Sequence, residues 1–225
     1  MLYNLNKETE ELVSLISEDL RDILEKSYCD SLSHGMDHVR EVMFSALVYN
    51  QKLDLNLDPK EIILAALLHD MYQNTQRELH HQLGYEYVMC STHKVFDDVD
   101  RKRIAKAILE HRASYKGKYY SSLSELISSA DRSYPDLYKI VERCFIYTVE
   151  TNPNMSMNEI GLAVKKHIKE KFSKDGYVKY PKLYLKMYSE EIEKLHNDVD
   201  IFLNGEKLVI IEHNGSTITL GSPLL

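Results

Sequence analysis

The sequence predicts a mainly α fold, a helical bundle with a small C-terminal β hairpin. Three observations carry that expectation. Apolar residues recur at three- and four-residue spacing along most of the 225 residues. Helix-start signals precede several of these rows. Only the C-terminal stretch changes to alternation around an Asn-Gly pair.

Taken in order, Leu12, Leu15, Ile16, Ile23 and Leu24 make a first amphipathic stripe, and Val39, Val42, Met43, Ala46 and Leu47 a second. "DPKE" at 58–61 opens the next helix: Asp58 can cap it, Pro59 suits its first turn, and Glu61 completes a capping-box-like arrangement. The "IILAALL" that follows is apolar on nearly every side, the mark of a central helix. Further helical patterns cover 76–91, 100–112, 122–131, 135–149 and 157–171, the last opened by the capping box "SMNE". A longer one follows from 180 to 195. "KLVIIEHNGSTITL" then alternates β-branched residues around Asn214-Gly215, a hairpin signal because both positions tolerate positive φ. The expected organisation is an all-α domain over 1–200, ending in helices over 157–197, and a hairpin appendage over 201–225. The tyrosines gathered in "GYVKYPKLYLKMY" read as rings covering a core with their hydroxyls in water, or as a partner-facing surface.

Composition excludes several classes. Hydrophobic residues make up 44% of the chain and charged ones 28%, as in a water-soluble domain with a proper core. No apolar run approaches the roughly 20 residues that span a bilayer. The N-terminal stretch lacks the basic-then-apolar pattern of a signal peptide, and no membrane partner is expected. Cys29, Cys90 and Cys144 are widely separated with no Cys-x-x-Cys, which argues against a disulfide framework and a thiolate zinc site and fits a cytoplasmic protein. A formal charge of -7 argues against a general nucleic-acid binder. It leaves a small phosphorylated substrate open, since local charges and metals decide that binding. Oligomeric state is not written in the sequence, and a homo-oligomer is compatible with it.

The informative residues are polar ones that continue apolar rows. Ile104, Ala107 and Ile108 lead to His111, and Leu123 and Ile127 lead to Asp131. His69 and Asp70 lie one turn beyond Ala65 and Ala66, and His38 sits in the first turn of its helix beside Val39. One inward histidine is ordinarily a hydrogen-bonded core residue, and one aspartate at a helix end a cap. Several such groups together would carry a penalty of several kcal/mol unless something coordinated them. A divalent cation does so, and imidazole and carboxylate without thiolate suit Mn, Fe, Ni, Co or Zn.

"HGMDHVREV", "AALLHD", "AILEHR" and "SSADR" together resemble the HD-domain superfamily of metal-dependent phosphohydrolases, over roughly residues 30 to 150. His38, His69-Asp70 and Asp131 match its ordered H…HD…D signature. The resemblance implies an HD-domain helical bundle and hydrolysis of a phosphate ester or anhydride of a small molecule, a nucleotide being the expected substrate. It also implies a divalent metal (Mn, Fe, Co, Ni, Zn or Mg) held by those four residues. Two-metal members add two histidines before the last aspartate, matched here by His80 and His111, with Asp70 as the natural bridge. His80 is preferred to His81 because His80 to Gly84 matches a His-x-x-x-Gly segment of the HD-type dinucleoside tetraphosphate hydrolases. With one metal instead, His80 and His111 would contact phosphate or move protons.

The expected catalytic set is Asp70, His80, His111, Arg112 and Arg132, the two arginines adjoining presumed ligands and meeting phosphoryl charge. Lys116, Lys118, Lys139 and Arg143 are further cations, each read first as a solvated surface charge. His34, four residues before His38, reads as an N-terminal helix residue rather than a ligand. "HDMYQN" lacks the acidic pair of guanosine polyphosphate hydrolases and the short basic stretch usual in tetraphosphate hydrolases, and the chain lacks the Gly-Tyr-Pro motif of cyclic dinucleotide phosphodiesterases. Two rival readings stand: a di-iron oxygenase of the inositol oxygenase type, and a non-catalytic nucleotide-binding regulatory module.

Overall fold

The structure is a computed structural model, and it describes residues 6–28, 35–132, 134–213 and 215–221. His34, Cys29 and Asn214 lie outside the described residues. The elements are helical apart from one C-terminal antiparallel hairpin, the fold class expected from the sequence. Among the described residues no helix is long and apolar enough to cross a membrane. Contacts group the chain into two compact units: Met1–Ser133 with Lys179–Leu185, and Tyr134–Val178 with Lys186–Leu225.

The first unit contains α1 (Lys7–Asp19), α2 (Arg21–Tyr28), α3 (Met36–Lys52), α4 (Pro59–Leu68), α5 (His80–Cys90), α6 (Arg101–Glu110) and α7 (Ser122–Ala130). The first stripe divides over two helices, because the chain breaks between α1 and α2 at Leu20. Its inward row is Ile16, Leu20, Leu24 and Tyr28, while Leu15 is left exposed. α4 is the central helix, buried at every position from Glu61 to Leu68. Asp58 caps it through the Lys60 N–H, 2.9 Å away. Glu61 departs from its expected capping role. Its carboxylate is buried and accepts from the Asp100 N–H at 3.1 Å and the Arg103 guanidinium at 3.0 Å, tying α4 to the start of α6. The pattern over 76–91 becomes a helix only from His80, since residues 71–79 form consecutive turns.

The second unit contains α8 (Leu137–Thr151), α9 (Met157–Phe172), most of α10 (Lys182–Leu203), β1 (Val209–His213) and β2 (Ser216–Leu220). Its core follows four-residue spacing: Leu137, Val141 and Phe145 from α8, Ile160, Val164 and Ile168 from α9, Leu195 and Val199 from α10. Val209, Ile211 and Leu220 of the hairpin belong to the same buried cluster, so the stretch expected as an appendage packs with α8 and α9. The strands pair from Val209↔Leu220 to His213↔Ser216, and Gly215 takes the positive φ of 73° that the turn requires. α9 opens on the full capping box of Ser156 and Glu159. α10 has non-helical backbone at Tyr188. Among the clustered tyrosines, Tyr184 is buried and stacks on Tyr180 at 5.4 Å, while Tyr177 is exposed.

Candidate metal centre

Three helices of the first unit end on a candidate ligand. His69 caps α4, His111 caps α6 and Asp131 caps α7. The last carbonyls of a helix have no intrahelical donor. Here imidazoles fill that need: His69 Nδ1 bonds the Ala66 carbonyl at 2.8 Å, and His111 Nδ1 bonds the Ile108 carbonyl at 2.6 Å. His80, the first residue of α5, does the same with the Arg77 carbonyl at 2.5 Å. A carbonyl only accepts, so each Nδ1 carries a proton, and Nε2 is the atom whose lone pair each ring can offer to a metal.

Those Nε2 atoms converge on two carboxylates. His38 Nε2 lies 3.1 Å from Asp131 Oδ1 and 3.7 Å from Asp70 Oδ2. His69 Nε2 lies 3.5 Å from Asp70 Oδ2 and 3.6 Å from Asp131 Oδ1. On the other side of the same carboxylate, Asp70 Oδ1 is 3.4 Å from both His80 Nε2 and His111 Nε2. Two donor groups result, His38–His69–Asp131 and Asp70–His80–His111, with the ligand atoms of each within 4.8 Å of one another. Asp70 faces the first with one oxygen and the second with the other.

The donor set fits divalent metal. Two ligand atoms about 2.1 Å from one ion lie roughly 3.0 Å apart at right angles and roughly 3.4 Å apart at the tetrahedral angle. Most spacings given above lie close to that range. His69 Nε2 is fully buried and has no hydrogen-bond partner, an orphan that a cation would satisfy. His80 Nε2 and His111 Nε2 face each other at 3.2 Å, and both being lone pairs, they need a positive charge between them. The negative ends of α4, α6 and α7 add to the field favouring a cation.

Titration behaviour agrees with this charge layout. Burial pushes the His69 imidazole down, but Asp70 and Asp131 outweigh it and raise it to about 10. Burial pushes Asp131 up, and the hydrogen bond with His38 together with the nearby His69 imidazole overcomes that and holds it well below the carboxylate range. Burial lowers His111 against the pull of Asp70. In the absence of a metal the carboxylates would keep a proton on His69, and a divalent ion competes for that position.

All six residues expected as ligands thus meet in one place. His81 stays outside both groups: its ring is 5.4 Å from that of His80, and its Nδ1 is buried without a partner. Burial, then repulsion from Arg112, lowers His81 to about 4. The Arg112 guanidinium reaches the Glu78 carbonyl at 3.2 Å and the Glu78 carboxylate at 3.8 Å. Arg132 donates to the Lys179 carbonyl at 3.0 Å and to the Ser128 carbonyl and Oγ, leaving a buried Nη2 without a partner. Lys116 and Lys118 are exposed, while Lys139 and Arg143 lie on α8 in the second unit.

Sequence reasoning passed over the residues that brace the centre. Ser128 Oγ donates to the His111 carbonyl at 2.9 Å, so it has only lone pairs left for Arg132 and for Tyr119, which must then be the donor in their 3.0 Å bond. Tyr28 donates to the Leu67 carbonyl at 3.0 Å, and burial, then Asp70, raises its hydroxyl well above the usual range. Glu110, buried beside His111, accepts from the Tyr120 N–H at 2.8 Å and fastens the loop that follows. The serine on an inward face of "SLSELISSA" was the one available signal.

A family model described as HD domain matches residues 35–142, a span that holds all six clustered residues. No curated protein and no solved structure matches the chain.

Proposed function

We propose, from the match of residues 35–142 to the HD-domain family model, a metal-dependent phosphohydrolase acting on a phosphate ester or anhydride of a small molecule, a nucleotide by preference. HD-domain proteins are typically metal-dependent hydrolases, which supports the reaction class. The observation that carries it is the division of Asp70, one oxygen toward His38 and His69 and the other toward His80 and His111. A single bridging carboxylate between two His-rich groups suits two ions held side by side.

His38, His69, Asp131 and Asp70 would hold the first ion, and Asp70, His80 and His111 the second. Four imidazoles favour Mn, Fe, Co, Ni or Zn over Mg, which prefers oxygen ligands and keeps its waters. Such ions supply positive charge to the phosphoryl oxygens and acidify a water nucleophile. The chain's own residues fix that arrangement. The Nδ1 bonds to Ala66, Arg77 and Ile108 hold three rings in one tautomer and orientation. The second group has fewer protein donors than the first, which leaves room for water and a phosphoryl oxygen. Arg132, whose Nη2 is buried without a partner, and Arg112, next in sequence to His111, would be the cations to meet remaining phosphate charge. The net charge of -7 sets this site apart from general nucleic-acid binding.

The same bridged pair also suits a di-iron centre that activates dioxygen, the second reading. A phosphatase and phosphodiesterase screen with Mn, Fe, Co, Ni, Zn and Mg, run on wild type and Asp70→Ala, separates them. The hydrolase reading expects phosphoester turnover that Asp70→Ala abolishes together with metal binding, at unchanged helicity. Full activity in that variant contradicts the site. Oxygen uptake with a mixed-valence di-iron EPR signal and no phosphoester turnover selects the oxygenase.

A further inference from the structure

Between the His69-Asp70 pair and His80 the chain makes a run of turns, pinned along its length. Gln73 N–H donates to the Asp70 carbonyl at 2.9 Å, Gln76 N–H to the Tyr72 carbonyl at 2.7 Å and Leu79 N–H to the Gln76 carbonyl at 2.9 Å. Asn74 fastens the same segment to the Ser27 carbonyl at 3.3 Å. Two unfavourable features fall together inside it. Tyr72 has a φ of 69°, a left-handed conformation that a bulky side chain seldom takes. Gln73, next to it, is 9% exposed, and its Oε1 is buried with no hydrogen-bond partner.

Neither feature is favourable in itself. A methionine would fill nearly the same volume as Gln73 without burying an unsatisfied oxygen. A backbone in the ordinary right-handed region at Tyr72 would carry no strain. Both sit within three residues of the carboxylate shared by the two donor groups. Strained backbone and unsatisfied polar groups of this kind gather where a chain must meet a ligand. The chemistry of the group narrows what it meets. An amide oxygen is a neutral acceptor, and phosphate oxygens, being acceptors themselves, repel it.

We propose that Gln73 is a specificity residue whose Oε1 accepts a hydrogen bond from an N–H or O–H group on the organic part of the substrate. The substrate class is then a phosphate carried by a sugar or a base with donors of its own, not by a plain alkyl or aryl group. This deepens the phosphohydrolase reading and rests on it.

The test compares metal-loaded wild type with Gln73→Met, with metal content measured on both. The first readout is the melting temperature without ligand. Replacing an unsatisfied buried amide by an apolar side chain of the same shape raises it by about 2–4 °C. A lower melting temperature means that the amide has a structural partner and overturns the proposal. The second readout is kcat/KM on adenosine 5′-monophosphate, which carries ribose and base donors, relative to p-nitrophenyl phosphate, whose leaving group carries none. The ratio falls about tenfold in Gln73→Met, the worth of one hydrogen bond. An unchanged ratio overturns the proposal. If wild type hydrolyses neither probe, the ratio is taken instead between the nucleotide and the aryl phosphoester that the screen above shows to be turned over. If nothing in that screen is turned over, the phosphohydrolase reading fails on its own account, and the melting temperature still decides whether Gln73 is an unsatisfied acceptor.

Discussion

The inward rows of α9 and α10 in the second unit run apolar to their ends, through Ile168 and Phe202, and that of α8 stays apolar through Phe145 before closing on Thr148, whose hydroxyl bonds its own helix at the Cys144 carbonyl. In the first unit the same spacing breaks at the last step. α4 ends Leu67, Leu68 and then His69, α6 ends Ile108 and then His111, and α7 ends Ile127 and then Asp131. Equal periodicity therefore builds two different interiors. One is closed by dispersion and water exclusion alone, and the other leaves imidazoles and carboxylates in a buried space that needs a charge to be complete. The helix end is where the exchange happens, because only there are carbonyls free to take an imidazole Nδ1–H and aim the opposite nitrogen inward.

Phe145→Ala and Asp70→Ala should break this comparison in opposite ways. Phe145 is fully buried in the second unit, and its removal should lower stability by about 3–5 kcal/mol, read from urea unfolding. The folded fraction should keep its metal. Asp70→Ala should keep its helicity and lose its metal. If Phe145→Ala emptied the metal centre while still folded, the two interiors would not be separate in kind.

A subtler separation appears with pH. In metal-free protein His69 is raised from 6.5 to about 10, because Asp70 and Asp131 outweigh its burial. A group held above its unfolded value stabilises the fold fully below pH 6.5, and that contribution is lost as pH rises through about 10. Melting temperatures of chelator-treated protein should therefore fall across this window, while those of metal-loaded protein should not. Parallel curves for the two forms would show that His69 carries no such proton.

Much of this was legible in the sequence. The rows leading to His111 and Asp131 needed only helical spacing, and the fold class followed from the stripes, caps and Asn-Gly turn. The ordered histidines and aspartates named the family before any coordinate did. Other features depend on atoms distant in sequence. No spacing rule tells that Glu61 meets Arg103, that Ser128 bonds the His111 carbonyl, or that Tyr28 reaches Leu67. The late start of α5 comes from the turns that pin residues 71–79, where the helical pattern continues but the backbone does not. The direction of each Asp70 oxygen is likewise a tertiary fact, and it is the one on which the two-ion reading depends.

That reading is tested most directly by counting ions in purified, metal-saturated protein, wild type beside His111→Ala. His111 offers its Nε2 to the Asp70–His80 group, and the His38–His69–Asp131 group keeps its donors without it, losing only the edge contact between the His69 and His111 rings at 5.1 Å. Two ions per chain in wild type and one in His111→Ala would agree with a shared carboxylate between two sites. One ion in both, or two in both, would contradict it.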